Sequence, residues 1–142
     1  MNPQRRWRDA GWLRQALRHD RGAVSAELAI AIPLLLLFLL AIVQFAVWSH
    51  ATHIAQAAAS QGLAAARVHS GTASAGVERA QQLLDQLAQS SLKGAAVSSE
   101  RGAETVSVRI TGTAAAVLPF LHLPVHSEAA GPVERLVVAN DS

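Results

Sequence analysis

The stretch that decides the fold is Leu28 to Trp48, which reads LAIAIPLLLLFLLAIVQFAVW. It contains no charged residue. At a rise of about 1.5 Å per residue, a helix of this length spans about 30 Å, the thickness of the hydrocarbon core of a bilayer. The apolar region of a cleaved secretory signal is shorter, about 7–15 residues. The stretch therefore predicts one transmembrane helix, closed by Trp48 at its far interface.

The charge before this helix predicts its orientation. Only Asp9 and Asp20 oppose the arginines on the N-terminal side, and beyond Trp48 acids and bases nearly balance. The positive-inside rule then predicts a cytoplasmic N-terminus and an exported C-terminal part. The net charge of +2 comes from the arginines before the helix. This distribution indicates membrane topology and not nucleic-acid binding. The arginines before the apolar stretch are Arg5, Arg6, Arg8, Arg14, Arg18 and Arg21.

Composition limits what the exported part can be. The chain has 142 residues, and only 4% of them are aromatic, so we expect a small domain with a modest core. Cysteine is absent, which excludes disulfide frameworks, thiolate zinc sites and cysteine nucleophiles.

Two residues interrupt the apolar stretch. Pro33 removes a backbone donor and predicts a local kink. Gln44 can hydrogen-bond across a helix–helix interface. Both are therefore candidates for transmembrane packing, and the alternative is that a lone anchor simply tolerates them.

The entry to the helix, residues 20–27, reads DRGAVSAE. Glu27 lies just inside the apolar helix, where a carboxylate costs on the order of 1–3 kcal/mol in lipid. An acid at this depth indicates a function or a partner by default. The alternative is that Glu27 stays hydrated at the headgroup boundary.

These residues resemble a known family. Residues 21–29 (RGAVSAELA), 32–37 (IPLLLL) and 41–45 (AIVQF) are similar to the N-terminal pattern of TadE-like proteins, pseudopilins of Tad/Flp-type type IV pilus systems. The similarity continues through the alanine-rich residues 51–66 and is weak between Gly71 and Arg101. The C-terminal segments 118–120 (LPF), 124–125 (PV) and 131–135 (GPVER) resemble the tail of a subgroup.

The resemblance implies a processing step and a set of partners. A prepilin peptidase, an integral-membrane aspartic protease, would cut between Gly22 and Ala23 on the cytoplasmic side. Glycine lets an extended backbone approach the catalytic aspartates closely. Glu27 lies at i+4 from the new Ala23 amine and would pair with the amine of a neighbouring subunit, setting the register between subunits. The implied partners are the bilayer, this peptidase, other pilin or pseudopilin subunits and Tad assembly-platform proteins, with no nucleic acid.

The rest of the chain predicts a small α+β domain. We expect a basic cytoplasmic leader at 1–22, the transmembrane helix at 23–48, its continuation at 49–70 and the exported domain at 71–142. An apolar stripe predicts a second helix over 75–90, with Gly71 to Ser74 breaking the pattern before it. Residues 95–98 and 105–111 predict a hairpin, 125–129 a third strand and 133–138 an extended tail. A long N-terminal helix, a second helix and a small antiparallel sheet make a pilin-like plan.

The sequence offers no convincing catalytic or cofactor site. His50 and His53 lie three apart, but no cysteine or acid is near them to complete a metal site. His122 and His126 are interpreted as surface residues, and no glycine-rich loop indicates nucleotide binding. We therefore predict a protein that is not an enzyme and needs no cofactor.

Three functions compete at this point. The leading one is a structural pseudopilin of the inner (plasma) membrane that enters a pilus or secretion filament. The second is an uncleaved single-pass anchor carrying an envelope-facing binding module. The third is a secreted protein cut by signal peptidase at Ala55-Gln56-Ala57, a site too far beyond the apolar stretch to be favoured.

Overall fold

The chain folds as helices followed by strands. The computed structural model describes the backbone of residues 9–134 and the side chains of residues 22–134. The α+β class predicted from the sequence is confirmed. The side chains of the six leader arginines, and residues 135–138 of the extended tail predicted at 133–138, lie outside the described residues. The elements are α1 (Asp9–Arg67), α2 (Ala73–Leu87), β1 (Leu92–Arg101), β2 (Thr105–Ala114) and β3 (Pro124–Pro132).

The chain divides into an N-terminal unit, Met1–Ala41, and a C-terminal unit, Ile42–Ser142. In the described part of the N-terminal unit, almost every side chain of α1 is exposed, including the leucines at 34–37. Within the part of the chain that the structure describes, one helical stretch, Gly22–Arg67, is long and apolar enough to cross a membrane. Pro33 lies inside this helix.

The C-terminal unit is built on an antiparallel sheet with the strand order β1-β2-β3. The predicted hairpin joins β1 to β2, and the Gly102 N–H donates to the Thr105 carbonyl across its turn (2.8 Å). Val106, Val108 and Ile110 alternate with more exposed residues along β2 and are buried, as their period of two predicts. The middle strand therefore supplies the large side chains of the core.

Alanines of α1 supply the other side of this core. Ala51, Ala55, Ala58 and Ala59 are fully buried in one cluster with Val108 and Ile110. Small side chains on the helix let its backbone lie close to the branched side chains of the sheet. The alanine-rich sequence after Trp48 is thus the core-facing part of α1.

Helix α2 packs against α1 at a glycine contact. A Cβ atom on Gly62 would lie 2.7 Å from the Gly76 carbonyl oxygen, and one on Gly76 would lie 2.8 Å from the Ala66 Cβ. Both distances are too short for side chains, so the two backbones meet where neither residue carries one. Gly62, which lowers helix propensity, is explained by this close approach.

The boundaries of α2 and β1 differ from those predicted by sequence. Thr72 caps α2, because its Oγ1 accepts from the Ala75 N–H (3.1 Å), and the helix therefore starts at Ala73 rather than Ala75. It ends at Leu87, three residues earlier than predicted. Strand β1 starts early, at Leu92, and the register shifts between Lys93 and Ala96. Gly94 lies in this bulge with φ +61°, a conformation that favours glycine.

Candidate functional site

The predicted processing site lies on α1. Gly22 and Ala23 are helical and exposed, and a Cβ added to Gly22 would meet no atom within 4 Å. The described fold therefore leaves room for a side chain at position 22. A requirement for glycine there would come from a partner that handles this peptide.

Glu27 follows Ala23 by four residues in the same helix and is exposed. One turn of helix separates residues four apart, a rise of about 6 Å along the axis. The carboxylate is thus presented on the surface of the N-terminal unit, where another chain can reach it. The register role of Glu27 stays a prediction.

The hydrogen-bond partners of Gln44 are a feature that the sequence did not reveal. Its side chain is 1% exposed, although it follows a stretch of exposed apolar residues. Its Oε1 accepts from the backbone N–H groups of Val117 (2.6 Å) and Leu118 (3.2 Å), and its Nε2 donates to the Ala115 carbonyl (3.1 Å). One amide therefore satisfies three backbone groups of the segment that connects β2 to β3.

Trp48 makes a second bond of this kind, one turn further along α1. Its indole Nε1–H donates to the carbonyl of Pro124, the first residue of β3 (3.0 Å). The Phe45 ring lies beside it, with ring centroids 5.6 Å apart and a tilt of 41°. Gln44 and Trp48 thus tie α1 to both ends of the β2–β3 connection.

These contacts give Gln44 a role within the C-terminal unit. They do not test its predicted role in transmembrane packing. The donor and acceptor of its amide are both used within the C-terminal unit. A role of Gln44 and Pro33 between helices therefore stays a prediction. The sequence signal that pointed to Gln44 was real, since a lone amide ending an apolar stretch needs partners. Those partners lie 71–74 residues away, beyond the reach of a local pattern.

The opposite end of α1 is capped by an arginine that the sequence did not single out. The Arg101 guanidinium donates to the Ala66 carbonyl and to the Val68 carbonyl (3.3 Å). The Glu134 N–H also donates to the Arg67 carbonyl (2.9 Å). Carbonyls at the end of a helix need such donors, and a positive charge there suits the helix dipole.

The histidines are exposed and scattered. His50, His53, His122 and His126 are all on the surface. Among residues 22–134, no group of three His, Asp or Glu residues is arranged to hold a metal ion.

The alternative signal-peptidase site lies in the core-facing part of α1. Ala55 is fully buried there and belongs to the core cluster. A cut after Ala57 would divide the helix between its two buried pairs, Ala51 with Ala55 and Ala58 with Ala59. This location disfavours the secreted reading.

An apolar helix of membrane-spanning length continues into a small α+β domain. This arrangement is typical of a single-pass membrane protein. A protein-family model described as TadE-like protein matches residues 22–63. The resemblance read from the sequence is thereby confirmed over this segment, which starts at Gly22 and runs into the core-facing part of α1. The match relates the chain to a family of structural pilus components and to membrane association. Neither the curated proteins nor the solved structures give a significant match.

Proposed function

We propose that the chain is a structural pseudopilin that takes part in assembling a Tad/Flp-type pilus or secretion filament. It is held in the inner membrane by α1, with the leader in the cytoplasm and the C-terminal unit outside. The observation that carries the proposal is the TadE-like match, which begins at Gly22, the residue before the proposed cut. Its partners are the prepilin peptidase, other pilin or pseudopilin subunits and the assembly platform.

Processing is the first step of the proposed mechanism. A water molecule adds to the Gly22 carbonyl, and the bond to the Ala23 nitrogen breaks, leaving a carboxylate on Gly22 and an amine on Ala23. The peptide must leave the helix to be cut, because Gly22 lies within α1. Glycine favours this opening, since it is about 1 kcal/mol worse than alanine in a helix. The open space around Gly22 supports the view that the peptidase, and not the fold, requires glycine.

Assembly is the second step. The new Ala23 amine carries a positive charge, and the exposed Glu27 of a neighbouring subunit accepts it as an ion pair. The pair offsets the cost of holding a carboxylate in an apolar environment, and its short reach sets the axial register of the two helices. The exposed apolar side chains of α1 pack between subunits once the helix leaves the lipid.

Replacement of Gly22 tests processing. Gly22→Leu in a strain with an active prepilin peptidase should accumulate full-length precursor, because the side chain blocks the approach of the peptidase. Gly11→Leu, in the same leader but eleven residues before the cut, is the matched control and should be processed normally. Equal processing of the two variants, read by mass spectrometry, would refute cleavage at Gly22.

Replacement of Glu27 separates the pseudopilin from a plain anchor. Glu27→Gln keeps the size of the side chain but removes its charge, and it should reduce the filament recovered by shearing cells. Glu78→Gln, at an exposed acid of α2, is the control and should leave assembly unchanged. Normal assembly with Glu27→Gln would favour an uncleaved anchor carrying an envelope-facing binding module.

A further inference from the structure

The end of the C-terminal unit that carries Gln44 exposes a group of large apolar side chains. We call this group the apolar collar. The most exposed member is Phe120, at 73%, in the turn closed by the Leu121 N–H and the Leu118 carbonyl (3.0 Å). The collar consists of Ile42, Val43, Phe45, Val117 and Phe120.

The β2–β3 connection and the strand segments beside it carry no acidic residue, lysine or arginine, although Lys93 of β1 pairs with Thr113 at this end of the sheet. No Asp, Glu, Lys or Arg occurs from Ile110 to Ser127, which covers the second half of β2, the connection and the start of β3. The opposite end carries the Arg101 cap, the Arg67–Glu134 pair (3.2 Å) and the turn that contains Glu104. Since β2 is ten residues long, the charged and apolar ends lie about 30 Å apart.

Several backbone N–H groups of the β2–β3 connection are hydrogen-bonded within the protein. Gln44 binds the N–H groups of Val117 and Leu118, and Pro119 has no N–H. The Ala114 N–H donates to the Leu123 carbonyl (2.9 Å), and the Ala115 N–H donates to the Ser91 carbonyl (2.8 Å). Each of these bonds lowers the cost of bringing non-helical backbone towards lipid, where an unsatisfied N–H group is unfavourable.

The position of Gln44 along α1 gives the depth. Gln44 precedes Trp48 by four residues, about 6 Å of helix. If Trp48 lies at the interface, as the sequence predicts, a connection tied to Gln44 lies about 6 Å inside it. Membrane-surface segments typically bury their apolar face by about 5–10 Å.

We propose that the apolar collar inserts into the lipid bilayer and fixes the depth and tilt of the C-terminal unit on the membrane surface. The lipid contact is continuous with the apolar anchor, because Ile42 and Val43 directly continue the exposed apolar residues of α1. A shallow depression of about 450 Å³ beside Ile42 and Ala46 gives acyl chains a place to pack. This inference rests on the membrane anchoring in the proposed function and is independent of processing at Gly22.

The absence of cysteine allows a direct test with single labels. Full-length Phe120→Cys carrying a polarity-sensitive NBD dye is reconstituted in vesicles of phosphatidylcholine and phosphatidylglycerol. The matched control is Ala103→Cys, exposed in the β1–β2 turn at the charged end. Lipids with a doxyl group near the headgroup should quench most of the NBD emission at position 120 and none at position 103. Equal exposure of both labels to aqueous iodide, with no lipid quenching, would overturn the proposal.

A second labelled position tests whether Phe120 itself, and not the apolar dye attached at position 120, causes insertion. Val117→Cys–NBD should be quenched by the doxyl lipid, and the added change Phe120→Asp should remove most of that quenching. The fold should tolerate this change because Phe120 is exposed. Quenching at position 117 that Phe120→Asp leaves unchanged would contradict insertion by the collar.

Two further arms identify the source of any failure. A Leu36→Cys label reports on the anchor when it is read with lipids that carry the doxyl group deep in the acyl chain, because position 36 is near the middle of the apolar stretch. Quenching at 36 by these lipids without quenching at 120 by the headgroup-proximal lipids would overturn only the collar, whereas no quenching at 36 would overturn the anchoring itself. Dilution of the protein into more lipid distinguishes lipid from a second copy of the chain. Quenching at 120 that is constant on dilution supports lipid. Protection from doxyl lipid and iodide alike, lifted by dilution, would assign the collar to a second copy.

Discussion

Two parts of helix α1 use apolar side chains in opposite ways. From Leu28 to Val43 most side chains are large, and nearly all of them are exposed. From Ala51 to Ala66 the side chains on the inner face are mostly alanines, and they are fully buried against the sheet. In the same helix, the more hydrophobic part is thus the more exposed one.

The difference teaches that side-chain size, and not hydrophobicity alone, separates the two roles. Large exposed apolar residues need a nonaqueous partner, which lipid or a neighbouring helix supplies. Small residues let α1 lie close to β2 and α2, so that the branched residues of the sheet fill the space between. An acidic residue should therefore be harmful in both parts but for different reasons. In the core-facing part it should destabilise the domain, and in the exposed apolar part it should oppose membrane insertion.

The largest effect should come from a charge in the core-facing part. Ala58→Asp buries a carboxylate in the core cluster and should lower the free energy of unfolding by about 5 kcal/mol, which approaches the stability of a small domain. Pulse proteolysis of full-length protein in micelles, across a urea series, measures this change. Ala57→Asp, at the exposed neighbouring position, should change the midpoint little. Similar losses in the two variants would show that α1 does not pack as described.

A charge in the other part should affect insertion and spare the domain. Leu36→Asp should raise the free energy of membrane insertion by about 3 kcal/mol. A larger fraction of the variant than of the unchanged chain should be released into the soluble fraction on carbonate extraction. Leu87→Asp is the control, because Leu36 and Leu87 are equally exposed (56% and 53%) but Leu87 ends α2. Equal release of the two variants would contradict the assignment of residues 28–43 as the anchor.

Gln44 lies between the two parts and should have an intermediate effect. Gln44→Leu leaves the Val117 and Leu118 N–H groups without their acceptor and should cost about 2 kcal/mol of stability. The pulse-proteolysis midpoint in urea again gives the value. Gln56→Leu, exposed on the same helix, should be nearly neutral. A neutral Gln44→Leu would mean that the connection does not depend on the amide.

The smallest effect should come from a surface ion pair of the sheet. Arg109 Nη2 lies 3.2 Å from Glu128 Oε2 across β2 and β3, and both side chains are about half exposed. Glu128→Gln should therefore cost less than about 1 kcal/mol, and high salt should reduce the difference. Urea midpoints at low and high ionic strength check this. A loss as large as that of Gln44→Leu would show that charge pairing stabilises the sheet more than packing does.

The sequence predicted those features that repeat locally. The period of two in Val106, Val108 and Ile110 predicted a strand with one buried face, and the stripe of Leu83, Leu84 and Leu87 predicted α2. The length of the apolar stretch predicted a membrane-spanning helix.

Features that join distant residues could not be read from local patterns. Gln44 meets its partners across more than 70 residues, and Arg101 reaches Ala66 across 35. From the sequence, Gly62 is only a residue of low helix propensity. The structure shows that Gly76 packs directly against it. Each depends on how the sheet and helices pack, which periodicity does not specify. The residues of the proposed processing site, by contrast, were found by resemblance alone.

The N-terminus of the mature protein tests the central claim most directly. The protein is extracted from membranes of cells that contain an active prepilin peptidase, and its intact mass and first residues are determined. We expect a chain that begins Ala23-Val24-Ser25-Ala26-Glu27. A mature, membrane-extracted chain that still begins at Met1 would contradict this claim.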